Sequence, residues 1–204
     1  NKYSQGFEAD TGKILNIVIN SLYSDRDIFL RELLSNASDA IHKRKFSGQT
    51  NPAILNKSDD TIEVEINKKQ KTIEIADTGI GLAETELAET LGTIAKSGTS
   101  SFLEELSDGD NNKDAAKTLI GQFGVGFYSA FMVAEKVEVI STKAGTSKTF
   151  IWESDGQNGF DISQSDQSQN VGTSIKLFLR KDAKEYLDSG KLRTLIKKYS
   201  DHIT

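Results

Sequence analysis

Cysteine is absent from the 204-residue sequence, which excludes a disulfide scaffold, a thiolate metal site and thiol catalysis. Histidine is nearly absent. His42 and His202 lie far apart in the chain, which argues against a His-rich metal centre. No apolar run approaches the ~20 residues of a membrane span. Basic residues are outnumbered, 25 against 30 acidic, and the net charge of −5 argues against a dedicated nucleic-acid binder, though not against a local basic patch. The sequence opens at Asn1 with neither methionine nor an apolar leader, so a targeting peptide is expected to be absent or already removed. Proline occurs once, at Pro52. Glycine totals 16, close to the roughly 14 of average usage, but eight of them fall between Gly79 and Gly126.

The periodicity predicts a helix through Ile14, Leu15, Val18, Ile19 and Leu22. A second helix is expected from near Ser24 to about Ile41, with Ser24 and Asp27 at capping-box spacing. Residues 47–60 read as loop. Strict alternation predicts a hairpin of Thr61–Asn67 and Thr72–Asp77, and further strands at Lys136–Thr142, Lys148–Glu153 and Thr173–Leu179. Tyr128–Val133 could start a helix, and residues 183–200 read as a helix broken at Gly190. The expected fold class is α+β, a two-layer sandwich of helices on one face of a mainly antiparallel, mixed β-sheet, in one domain.

Within the second helix Asn36, Asp39 and Lys43 all fall within about 40° of Glu32 at 100° per residue. This polar row runs along the border between the apolar and polar faces. It is either a solvated edge with a ladder of charges, or one wall of a cleft where carboxylates and an amide converge on a ligand. In the second reading an amide oxygen suits magnesium, and a carboxylate one turn away suits a base acting on water. Asp77 shares the parity of Ile73 and Ile75, so it points to the buried side, where a carboxylate needs partners. It is either a turn residue ahead of Gly79 and Gly81 or an acceptor for a ligand donor such as an exocyclic amine. Gly121-Gln122-Phe123-Gly124-Val125-Gly126-Phe127 is either a loop tip or a cradle of backbone amides for phosphate. It matches neither the P-loop nor the Rossmann fingerprint. Gly92–Thr99, centred on Lys96, is a plain loop or a hinged lid. Thr173, with the parity of Ile175 and Leu177, is a satisfied edge hydroxyl or a neighbour of the Asp77 ligand.

Together, Glu32-x-x-Asn36-x-x-Asp39-Ala40, Asp77-x-Gly79-x-Gly81 and Gly121-x-x-Gly124-x-Gly126 resemble the Bergerat ATP-binding fold. That fold is shared by gyrase-type topoisomerases, heat-shock protein 90 chaperones, histidine kinases and mismatch-repair MutL proteins. Asp27–Leu33, Gly92–Thr99, Gly121–Ser129, Tyr23-Ser24 and Trp152-Glu153 are similar to the chaperone branch in particular. The style is that of its bacterial members, with the mitochondrial homologue a nearby alternative. The resemblance covers essentially the whole chain.

The resemblance implies an ATP-binding, ATP-hydrolysing N-terminal domain spanning 1–204, with a lid at about 92–126 and with middle and C-terminal domains outside this chain. It implies ATP or ADP and Mg2+ as cofactors, Glu32 polarising the attacking water, and Asn36 on the magnesium. Asp77 would accept the adenine amino group, with Gly81 and Thr173 completing a water network. Asp39, Ala40, Lys43, Ile80, Leu82 and Leu91 would line the pocket. Lys96 and the loop of Gly121, Gln122, Gly124, Val125, Gly126 and Phe127 would hold phosphates. Leu82 stands where a methionine is common in the family, a volume-conserving change. Thr90 stands where eukaryotic members often have an asparagine near the ribose, and that contact is not carried over. The resemblance further implies unfolded client proteins as partners, homodimerisation of the full-length protein, no nucleic-acid or membrane partner, and a bacterial cytoplasmic location. A middle-domain arginine completes the γ-phosphate site in the family, so slow turnover is expected of this chain alone. A histidine-phosphorylating kinase is disfavoured by the lid sequence and the lack of histidine near the phosphate loop. A DNA-acting ATPase is disfavoured by the net charge. A non-catalytic nucleotide-binding module remains a reading for the chain taken alone.

Overall fold

Side-chain alternation sets the architecture. The computed structural model describes residues 2–6, 25–92 and 126–201. Among the described residues seven strands form one sheet: β1 (Lys2–Gln5), β2 (Ile62–Asn67), β3 (Thr72–Asp77), β4 (Ala134–Thr142), β5 (Thr149–Ser154), β6 (Phe160–Gln164) and β7 (Gly172–Leu179). Their spatial order is β1-β6-β5-β4-β7-β3-β2. Each described pairing is antiparallel, so among the described residues the sheet contains no parallel pair and is not mixed. The α+β class stands.

Register places residues of one parity in rows across the inner face. One row is Ile66, Ile73, Leu177 and Val137. The next is Val64, Ile75, Ile175, Val139, Trp152 and Ile162. Most of these are buried and share one core with Phe29, Leu30, Leu33 and Leu34 of the long helix α1 (Ile28–Gly48). Phe127 lies edge-on to Trp152 at 5.4 Å between centroids and joins this core to the loop before it. In the third row apolar side chains give way to Asp77, Thr173 and Ser141. The sheet is therefore dry along two rows and polar along one, and that row lies at the end of β3.

Several expectations need correction. Helix α1 begins at Ile28 and runs to Gly48, seven residues past Ile41. Arg44 and Gly48 continue its buried stripe where an apolar count finds nothing: Arg44 is buried and donates to the backbone carbonyls of Ile54 (2.7 Å) and Thr78 (2.9 Å). Asp27 does not cap the helix. Its carboxylate accepts instead from the Tyr186 hydroxyl at 2.5 Å, and Ser24 lies outside the described residues. The expected helix through Ile14–Leu22 also lies outside them. Helix α2 (Glu84–Gly92), β1 and β6 were not foreseen. Residues Gly126–Met132 and Lys181–Leu187 form 3-10 turns. The break before the last helix, α3 (Ser189–Ser200), falls at Asp188, which caps it by accepting from the Lys191 N–H at 3.0 Å, and not at Gly190.

Candidate functional site

Asp77 ends β3 facing the core side, as its parity requires. Its carboxylate accepts from the backbone N–H of Gly79 at 2.8 Å and from that of Thr173. Burial pushes its carboxyl up to about 6 despite those two donors, because desolvation disfavours the charged form more than they favour it. The loop that follows is fixed from three sides. The Ile80 N–H donates to the Ala40 carbonyl of α1 at 3.0 Å, and the Ala144 N–H donates to the Ile80 carbonyl at 2.8 Å. The Leu82 N–H donates to the Ser141 hydroxyl of β4 at 2.7 Å. Gly79 has a packing reason: a Cβ there would lie 2.5 Å from the Ala40 Cβ, so only glycine lets the loop touch the helix.

A cavity of about 220 Å³ opens above this floor. Asn36, Asp39, Ala40 and Lys43 of α1 form one wall. Ile80, Gly81 and Leu82 form a second, continued by Thr90 and Leu91 of α2. Asp77, Thr173 and Phe127 complete the lining that sequence reasoning named. Three of the four residues of the border row on α1, Asn36, Asp39 and Lys43, thus lie on a cleft wall. Ala37, Val139 and Ile175 also line the cavity and were missed. They are apolar residues at core parity, and only the cross-strand register reveals that they neighbour the polar row.

Glu32 lies one turn before Asn36, is 9% exposed and does not line the cavity. Its Oε1 accepts from Arg31 Nη2 at 2.7 Å and Nε at 3.2 Å. Its Oε2 lies against Gly126, where a Cβ would come within 2.4 Å. A glycine at that position keeps the space before the carboxylate open. Lys96, Gly121, Gln122, Gly124 and Val125 lie outside the described residues.

The ends of the expected lid are held together. The buried Tyr128 hydroxyl donates to the carbonyl of Leu91, joining the start of the 126–132 turn to the end of α2. An ion pair between Lys143 and Glu86 at 2.9 Å ties α2 to the end of β4. A larger cavity, about 520 Å³, lies beside β1 and β6. Its charges are already matched, Lys136 with Glu153 at 3.1 Å and Lys2 with Asp161 at 2.8 Å, so it presents no comparable convergence. Among the described residues no three carboxylate or imidazole side chains gather as a metal-holding group. A hard oxygen donor of the kind a divalent ion takes, the Asn36 amide, does line the cavity. Among the described residues no helix is long and apolar enough to cross a membrane.

The geometry is that of a chain with known relatives. A family model described as histidine kinase-, DNA gyrase B- and HSP90-like ATPases matches residues 23–176. The chain is 47% identical to the chaperone protein HtpG of Roseobacter denitrificans over 204 residues, covering 100% of this chain and 32% of that protein. It is 50% identical to the HtpG of Rickettsia massiliae over 198 residues, 97% of this chain and 31% of the relative. It is also 50% identical to that of Rhodospirillum rubrum over 199 residues, 97% and 32% respectively. The chain spans about a third of the length of the curated relatives it matches.

Proposed function

The chain belongs to the family of histidine kinase-, DNA gyrase B- and HSP90-like ATPases, and on that premise we propose that it is the ATP-binding and ATP-hydrolysing N-terminal domain of a molecular chaperone. The observation that carries the reading is the half-buried Asp77 carboxylate. It is held by two backbone donors at the floor of a cavity whose facing wall is the polar row of α1. A fixed carboxylate at the base of an apolar slot accepts an exocyclic amine and rejects a carbonyl in its place. The adenine amino group is therefore its ligand, with Gly81 and Thr173 beside it.

Asn36 orients the phosphate end through its amide oxygen. Magnesium, when bound, neutralises charge on the transferred phosphoryl group. Glu32 is the base. Arg31 occupies its Oε1, which leaves Oε2, on the side of Gly126, to polarise the attacking water. Lys96 and the Gly121–Phe127 segment hold phosphates, and residues 92–126 close over them as a lid. Closure and homodimerisation in the full-length protein convert nucleotide binding into remodelling of unfolded client proteins in the bacterial cytoplasm. The likeness to HtpG chaperones supports the client class.

Titration of the protein with ADP and ATP, with and without magnesium, tests the reading by calorimetry. In the full-length protein Glu32→Ala is expected to retain nucleotide binding while steady-state turnover falls roughly 10²–10⁴-fold. Unchanged turnover removes Glu32 from the mechanism, and absence of nucleotide binding by the unaltered protein removes the whole assignment.

A further inference from the structure

Ser141 of β4 is 1% exposed and lies in the polar row between β7 and β5, directly opposite Thr173. It does not line the cavity, yet it is bonded to Leu82 and Thr173, which do. Its hydroxyl accepts from the Leu82 N–H at 2.7 Å, donates to the Gly172 carbonyl at 3.2 Å, and shares a 2.8 Å bond with the Thr173 hydroxyl. The next hydroxyl along the strand, Thr142, is taken by Thr149 at 2.6 Å, so it offers no alternative.

A serine hydroxyl has one proton and two lone pairs. One lone pair is committed to Leu82. The proton then has two destinations. When it goes to Thr173 Oγ1, the Thr173 proton is free to point into the cavity. When it goes to the Gly172 carbonyl, the second lone pair receives the Thr173 proton, and Thr173 offers a lone pair to the cavity instead. Exchange between the two needs only rotation of hydroxyls, with no heavy atom displaced. An alanine at 141 would strand the buried Leu82 N–H and remove one of the two states.

We infer that Ser141 is a positioning residue that lets the Thr173 hydroxyl present either its proton or a lone pair to the base of a bound nucleotide. The inference rests on the reading of Asp77 and Thr173 as the base site. Ser141 thus sets the hydrogen-bonding polarity of one wall and makes it adaptable to the ligand or to an ordered water.

A double-mutant cycle on ADP affinity, measured by calorimetry, tests it. Ser141→Ala and Thr173→Val are each expected to weaken ADP roughly tenfold. The double variant is expected to be no weaker than Thr173→Val, and Ser141→Thr, which restores a hydroxyl, to stay within about twofold of the unaltered protein. Losses that multiply in the double variant, or an unchanged affinity for Ser141→Ala, overturn the inference. A residue that only packs would lower the melting temperature without producing this coupling. Where Ser141→Ala fails to fold, Ser141→Cys, with a weaker hydrogen-bonding partner, takes its place in the cycle. Failure of the unaltered protein to bind ADP overturns the base-site reading itself, and is thereby distinguished from failure of the Ser141 cycle alone.

Discussion

Burial holds the Asp77 carboxyl up to about 6 against an ordinary value of 3.8, so its ionised form is a cost to the fold near neutral pH. The sign follows from linkage. A group whose folded value is raised contributes stability that is fully present below 3.8 and lost as pH rises through about 6. Asp77→Asn is therefore expected to stabilise the protein at pH 7, by at most about 3 kcal/mol at 1.36 kcal/mol per unit, with the gain shrinking toward pH 4. Melting temperatures of both proteins across that range check it. The same substitution is expected to weaken ADP binding about 10–100-fold, because a charged acceptor for the amine is lost. In the unaltered protein ADP affinity should fall as pH drops through about 6, as the acceptor is protonated. Asp77 was legible from the sequence because a period of two fixes the side on which a strand residue points. Ser141 shares that parity on its own strand, but its tie to Thr173 depends on which strands pair, and a single strand's pattern does not carry that.

At the scale of elements, α1 supplies one whole wall of the site, and its far end is braced by Arg44. The guanidinium holds the carbonyl of Ile54, just past Pro52, and that of Thr78, in the turn between Asp77 and Gly79. Arg44→Met would leave both carbonyls without this donor, and is expected to cost about 2–3 kcal/mol in urea denaturation. Lys45→Met removes an exposed contact to Asp60 at 3.6 Å, and should cost no more than about 1 kcal/mol. Equal effects would show that the brace carries no weight. The same arginine explains why the sequence predicts too short a helix. An apolar period scan stops at Ile41 because the next two stripe positions are a charge and a glycine. β1 escaped detection for a different reason: all four of its residues are exposed, so it has no buried face to generate alternation, and it is held by pairing with β6. Helix α2 has Leu87 and Leu91 at helical spacing, but it begins only three residues after Gly81, among glycines that suggest loop.

Across the whole molecule, the cavity shares its walls with the core: Leu91, Phe127, Val139 and Ile175 belong to both. Filling it should stabilise the entire fold. ADP at about 100 times its dissociation constant contributes about 2.7 kcal/mol, and at about 2–4 °C per kcal/mol for this size the melting temperature is expected to rise about 5–10 °C. The sole tryptophan, Trp152, is fully buried against Phe127 and Phe160, so its fluorescence reports the transition. At the same ADP concentration the rise should shrink to about 1–6 °C in Asp77→Asn, in line with the 10–100-fold weaker binding. Fold class was legible from local periodicity; of the cavity residues, the α1 row, Asp77 and Thr173 followed from spacing and parity, whereas Ala40, Ile80, Leu82 and Leu91 came only with the family resemblance. The sheet order was not legible, because it depends on contacts between segments far apart in the chain. That order also sets a sequence of events. The polar floor draws Asp77 from β3, Ser141 from β4 and Thr173 from β7, and β7, the last of the described strands, lies between the other two. The floor is complete only when β7 is paired with both β3 and β4, joining residues about a hundred positions apart, which is a slow kind of contact to form. A nascent or half-folded chain thus has no place for a nucleotide, and occupancy certifies that the sheet is finished.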